Sequence, residues 1–348
     1  MTIARVILHI GAGKCGSSAL QEYLSQSIDL KDSKNNKAVY GVLRPDGTII
    51  TRKEVSELAL KSVFQYASSA NLKNIKGSDA AENSLKSLKT IDADTLILSS
   101  EGWINDPEAA AERLNWLKPY DVEIVTYVRP PVLWLNSAWW QWGAWSNVDF
   151  DRWINSSESM TYWSVYLKRW ESLPFINKTS VRLLPKNIVA DFLTLTDLHE
   201  SSTANSKLET VSNVSLPGSV LRVYQKYREL RPSPHESNID FSLSRRLSGI
   251  KQSPDWVIDA EKIAAIIGNT KVHNEELKGY FDATQLASFT SDSRWWSADA
   301  FQTQAVISSE RKITEDEMQE IVVHSFHSLH RAELEIIDLK NKLRKMSA

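Results

Sequence analysis

Four short apolar runs, ARVILHI from Ala4, KAVYGVL from Lys37, DTLILSS from Asp94 and VEIVTYV from Val122, alternate with segments of helical pattern, and that alternation leaves few folds open. Between the runs lie SSALQEYLSQS, TRKEVSELALKSVFQY and PEAAAERLNWL. Thr51 and Glu54 stand in capping-box register at the head of the second, and Pro107 suits the first turn of the third. Apolar runs with no polar alternate face belong to strands covered on both sides, and the helices between them supply the cover. The pattern predicts an α/β fold, a central parallel β-sheet flanked by helices. SVRLLP at Ser180 adds a strand and KNIVADFLTL a helix; beyond them the chain reads as mostly helical, with an irregular excursion over 198–215.

From Ile313 onward the sequence contains neither Gly nor Pro. Val322, Leu329, Ile336 and Leu343 recur every seven residues, with Ala332, Leu339 and Met346 at the matching d positions. That repeat fits a coiled coil, and with it a homodimer, and fits equally an amphipathic helix docked on its own domain. On this reading residues 1–310 form the α/β domain and residues 311–348 a long C-terminal helix.

Composition serves here to exclude. A formal net charge of −2 gives no global attraction to nucleic acid or to an anionic membrane, so neither is an expected partner and any anion site must be local. The single cysteine, Cys15, rules out an internal disulfide framework and suits a reducing compartment. VILHI is too short for a secretory apolar segment, and no run approaches the roughly 18 residues of a membrane helix. The expectation is a cytoplasmic protein without an integral membrane segment.

In an open parallel sheet, ligands bind beyond the carboxyl ends of the strands, so the turn after the first strand is the first candidate site. That turn reads GAGKCGSS, Gly11 to Ser18. Gly11, Gly13 and Gly16 let backbone amides approach a ligand, the following helix offers unpaired amides and its dipole, and Lys14 adds a full positive charge. The result is an anion cradle. An ATPase loop of the form G-x-x-x-x-G-K-[ST] is excluded twice, because Leu8 stands five before Gly13 and Cys15 follows Lys14. The hydroxyl that would ligate magnesium is missing, which favours a metal-free phosphate or phosphosulfate over magnesium ATP and makes a kinase a poor reading.

These residues resemble the sulfotransferases that use 3′-phosphoadenosine 5′-phosphosulfate (PAPS), whose bacterial members often read H-I-G-x-x-K-T-G-[TS]-[ST] at the first strand. His9, Ile10, Gly11, Lys14, Gly16, Ser17 and Ser18 match, and Cys15 replaces the usual threonine, removing a hydroxyl but leaving its amide. The family's second motif, an arginine ending a later strand and a serine eight residues on, is matched by Arg129 and Ser137 in VTYVRPPVLWLNSAWW. LILSSE, VRLLPKNIVADFL and NVSLPGSVLRVY are weaker likenesses, so the resemblance covers roughly residues 4 to 225. It implies a P-loop-like sulfotransferase fold and PAPS as sulfo donor without a metal. It also implies Gly11, Gly13, Lys14, Cys15, Gly16, Ser17 and Ser18 around the 5′-phosphosulfate, and Arg129 and Ser137 on the 3′-phosphate. For the family's basic C-terminal contact to that phosphate, Arg311 and Lys312 are candidates.

Sulfuryl transfer needs an in-line acceptor, stabilisation of charge on the leaving phosphate and a base for the acceptor's proton. Lys14 suits the second task. Three groups compete for the third: Glu101 at the end of LILSSE, Glu22 eight residues after Lys14, and His9 with its near-neutral intrinsic pKa. Eight of the thirteen tryptophans fall between Trp134 and Trp170; they read either as helix core or as rings that stack on a sugar, the latter leaning toward a saccharide acceptor. The expected activity is transfer of the sulfo group of PAPS to a hydroxyl or amine of a saccharide or small metabolite. The alternative is a catalytically silent nucleotide-binding scaffold or assembly protein of the same fold, for which the departure at Cys15 leaves room.

Overall fold

The computed structural model describes residues 3–26, 29–200, 216–247, 249–250 and 253–347. Its strands are β1 (Arg5–Gly11), β2 (Leu30–Asp32), β3 (Lys37–Leu43), β4 (Ile49–Thr51), β5 (Thr95–Glu101), β6 (Asp121–Val128), β7 (Lys178–Leu183) and β8 (Leu198–Glu200). The helices are α1 (Ser17–Gln26), α2 (Arg52–Lys61), α3 (Ala80–Thr90), α4 (Pro107–Arg113), α5 (Pro131–Gln141), α6 (Phe150–Ser157), α7 (Trp163–Glu171), α8 (Ile188–Thr196), α9 (Gly218–Lys226), α10 (Asn238–Arg246), α11 (Ala260–Leu277), α12 (Ala283–Ser291) and α13 (Glu315–Ser347). The chain falls into two compact units, one formed by Met1–Ala138, Ile154–Asn213 and Ile258–Thr303, the other by Trp139–Trp153, Val214–Val257 and Gln304–Ala348.

The first unit holds the sheet, in the order β7-β6-β1-β5-β3-β2-β8, with β4 beside β3. The five strands from β7 to β3 are parallel. Burial explains their sequences: Val6, Ile7, Leu8 and Ile10 of β1 and Leu96, Ile97 and Leu98 of β5 are completely covered, because helices pack on both faces. The expected α/β architecture is therefore present, and its sheet carries an addition. β2, β4 and β8 are antiparallel, three residues each, and extend or flank the β3 side. Residues 198–200 of the expected excursion belong to β8; residues 201–215 lie outside the described residues.

The capping box expected at Thr51 is not made. Thr51 occupies the N-cap of α2, but its backbone is paired with Gly41 in the β3–β4 ladder and Arg52 turns to a φ of 51°, so the Thr51 side chain forms no cap bond. Helix α3 arises from a stretch that directly follows a polar break in the pattern, with Ala80, Ser84 and Leu88 as its buried stripe.

Topology fixes the site. Chain connections leave β1 for β3 on one side and reach β6 on the other, so β1 and its neighbours β5 and β6 form the switch point of the sheet. In sheets of this kind ligands bind beyond those carboxyl ends.

The second unit is helical and organised by buried arginines. Arg222 donates to Asp255 (2.7 and 2.8 Å) and to the carbonyls of Ser308 and Ser309, and Arg231 pairs with Asp240 and donates to Gln141 O. Helix α13 packs on α9 through its first half, where Ser328 is buried, and Arg246 binds Glu335 at 2.9 Å. Among the described residues no helix is long and apolar enough to cross a membrane.

Candidate active site

Strand β1 ends at Gly11, in register with Glu101 at the end of β5, and Gly102 N donates to Gly11 O at 2.7 Å. A side chain does not fit at Gly11. A Cβ there would run into Ser17 Oγ and lie 3.1 Å from Ser100 O, a backbone atom that cannot move aside. Gly11→Ala is accordingly expected to displace the loop and cost about 1–3 kcal/mol of stability, as overpacking does. Equilibrium urea unfolding measures this, and a loss below a few tenths of a kcal/mol contradicts it.

After Gly11 the chain reverses. Cys15 N donates to Ala12 O, and Lys14 and Gly16 adopt left-handed φ values of 60° and 88°. Glycine accepts that conformation freely, whereas lysine adopts it at a cost and needs its surroundings to hold it. The holding contacts are visible. Arg129 Nη1 donates to Lys14 O at 3.2 Å, and the buried Trp134 indole donates to Gly13 O at 2.6 Å. Gly16 O accepts from Ala19 and Leu20 at the head of α1. The carbonyls of Ala12, Gly13, Lys14 and Gly16 are thus all engaged by protein donors, and with Ala19 and Leu20 turned to Gly16 O, the amides of Ser17 and Ser18 are the ones at the head of α1 that could meet an anion. Ser17 Oγ adds a buried hydroxyl that finds no partner among the described residues.

Arg129 follows β6 and reaches back across 115 residues of sequence to the loop, and the same Nη1 donates to Ser137 Oγ on α5 at 3.2 Å. Among the described residues it forms no ion pair with a carboxylate. Burial lowers its pKa, and so does the like charge of Arg294, which stands close enough to be felt. A half-buried guanidinium without a carboxylate partner among the described residues, with a second guanidinium in electrostatic range, is an arrangement that can take up an anion. Arg294, itself held by Asp292 at 2.7 and 2.8 Å, is a residue that the sequence reading missed, since the short turn SRWW carries no motif. Arg311, the sequence candidate for such a role, is doubly bonded to Glu317.

The acids gather on the other flank. Glu101 is half-buried, and burial raises its pKa against the opposing charge of Lys14. Tyr66, also missed from sequence, accepts a long hydrogen bond from Ser18 Oγ at 3.4 Å. Its pKa is raised by burial and further by Glu101 and Glu22, so both glutamates lie within electrostatic reach of one phenol beside the loop.

His9 is placed elsewhere. It is 1% exposed, bonded through Nδ1 to Ser99 Oγ at 2.8 Å, packed near Tyr127 and Phe192, and lowered by burial to a pKa of about 3. A neutral imidazole inside the sheet layer does not take protons near neutrality. Cys15 is likewise buried, and burial pushes its thiol up to about 12. Of the eight clustered tryptophans only Trp142 is not buried. Trp134 and Trp163 meet edge to face, and Trp163 donates to Arg129 O at 3.2 Å, so these rings brace the loop and the end of β6. The cluster is core, and the sugar-stacking reading loses its basis. A separate cavity of about 570 Å³ at the carboxyl end of β3, lined by Leu43, Arg44, Glu54 and Lys61 among others, carries none of the candidate residues.

No protein-family model and no curated protein matches this sequence. The structure is similar to that of a sulfotransferase from Alicyclobacillus acidocaldarius, with 13% sequence identity and a TM-score of 0.40 over 81% of this chain and 98% of that one.

Proposed function

We propose that this chain is a sulfotransferase that takes PAPS as donor and moves its sulfo group to a hydroxyl or amine of a small acceptor. The observation that carries the reading is the hydrogen-bonded union of the two motifs, Arg129 to Lys14 O and to Ser137, which ties the cradle after β1 to a carboxylate-free arginine after β6. A ligand with phosphate groups at two ends fits such a pair of anion sites. The orphaned Ser17 hydroxyl and the uncompensated Arg129 support the same chemistry.

PAPS supplies an activated sulfo group on its 5′-phosphate and a second phosphate at the 3′ position. Ser17, Ser18 and the amides opening α1 hold the 5′ end, and Arg129 with Ser137 holds the 3′ end, assisted by Arg294. Lys14 counters negative charge as it develops on the departing phosphate. Glu101 receives the acceptor's proton. It is preferred to Glu22 because it ends a strand at the switch point, and to His9 because burial removes that imidazole's basicity. The acceptor class stays at hydroxyl or amine, since the buried tryptophans give no support to a sugar.

A base with a raised pKa leaves a signature. Glu101 keeps its proton to higher pH than an ordinary carboxyl, so its basic form is lost as pH falls through that raised value. The kcat/KM profile should show an acid limb with its midpoint above the ordinary carboxylate range, and Glu101→Gln should abolish the limb together with most of the turnover. A limb that survives in Glu101→Gln assigns the base to another group. The function itself is tested by incubating the protein with PAPS and a panel of alcohols, phenols, sugars and amines and reading products by mass spectrometry. Binding of 3′-phosphoadenosine 5′-phosphate without any sulfated product reduces the chain to a nucleotide-binding protein, and absence of binding ends the proposal.

A further inference from the structure

Helix α13 uses one face within its own unit and leaves another uncovered. Along its first half Ser328 is buried and His324 and Ser325 are half-buried on the docked side. Beside that side runs an apolar stripe in which Val322, Phe326, Leu329, Ile336, Leu339 and Met346 are 41, 67, 67, 43, 58 and 84% exposed. From Glu333 to Met346 every residue is exposed, a length of about 20 Å at 1.5 Å per residue. Soluble monomers seldom present a contiguous apolar strip of this kind, and a solvated helix gains little from propensity alone.

We propose that this strip pairs with the same strip of a second copy of the chain, antiparallel, about a twofold axis between Ile337 and Asp338. The seam spacing of a two-helix coil is already present in Leu329, Ala332, Ile336, Leu339, Leu343 and Met346. The charges select the partner and its direction. Glu333, Glu335 and Asp338 precede Lys340, Lys342, Arg344 and Lys345, so the segment is acidic at one end and basic at the other. In the antiparallel register Leu329 meets Met346, Ala332 meets Leu343 and Ile336 meets Leu339, each contact occurring twice. The same register sets Glu333 against Lys340 of the second copy, while Glu335 stays with Arg246 of its own chain. A parallel pair would lay the Lys340–Lys345 run on its own copy, and an anionic membrane would meet the three carboxylates of the same segment.

Sedimentation velocity of the full chain at micromolar concentration tests the pairing. A dimer is expected, and Ile336→Glu combined with Leu339→Glu should return it to monomer, since both side chains are exposed in the single chain and their replacement leaves its fold intact. Direction is tested with Leu329→Cys and Met346→Cys, because the native Cys15 is buried. Under mild oxidation the mixture of the two variants should cross-link and neither should cross-link alone. A monomeric wild-type chain, with or without attachment to anionic vesicles, overturns the proposal. So does a dimer that survives the double glutamate variant, or a Leu329→Cys chain that links to itself.

Discussion

Lys14→Ala should lower the turnover number for sulfo transfer by about 10² to 10³ while leaving the affinity for 3′-phosphoadenosine 5′-phosphate within a few-fold. The split follows from the location of the charge. Lys14 sits in the left-handed turn of the loop, within electrostatic range of Glu101 and Cys15, whereas in the proposed function the grip on the nucleotide is shared among amides and hydroxyls that the substitution leaves in place. In the proposed reaction, removing that cation removes stabilisation that matters most when charge moves onto the leaving group. Single-turnover kinetics separate this from product release, and isothermal titration gives the affinity. A variant that loses affinity and rate together would make Lys14 a binding residue. Loss of the left-handed lysine also tests the loop: alanine takes that conformation no more readily, so the unliganded melting temperature should change little.

The second large effect is on binding. Arg129→Ala should weaken 3′-phosphoadenosine 5′-phosphate by about 10² to 10³, the scale of truncating one partner of a buried charge pair, and should erase the ligand-induced rise in melting temperature. Stability without ligand is expected to fall by about 1–2 kcal/mol, because the hydrogen bonds to Lys14 O and Ser137 Oγ that hold the loop are lost. A nucleotide lacking the 3′-phosphate is the control. Wild type and variant should bind it alike, and a variant equally impaired toward both nucleotides would show that Arg129 acts by shaping the loop through Lys14 O.

What the sequence disclosed follows physical lines. β1, β3, β5 and β6 were readable because strands buried on both faces must be continuous apolar runs. β2, β4 and β8 were not, since three-residue antiparallel strands owe their pairing to neighbours and carry too little pattern of their own. Within the site, the glycine loop and the Arg129–Ser137 interval are local and appear as spacing. Tyr66 and Trp134 reach the loop, and Arg294 comes within electrostatic range of Arg129, through a proximity that only the completed topology supplies. The tryptophan run shows the opposite hazard: its composition suggested a ligand surface, whereas seven of its eight rings are buried, Trp134 and Trp163 bracing the loop and the end of β6.

That brace has a kinetic consequence. With Gly13 O held by the Trp134 indole and Lys14 O by Arg129, the loop has its shape without a ligand, so the nucleotide binding proposed above would cost little ordering entropy. Association should then be a single, concentration-proportional phase whose rate falls as salt is added, the mark of a preshaped cationic loop filled by diffusion.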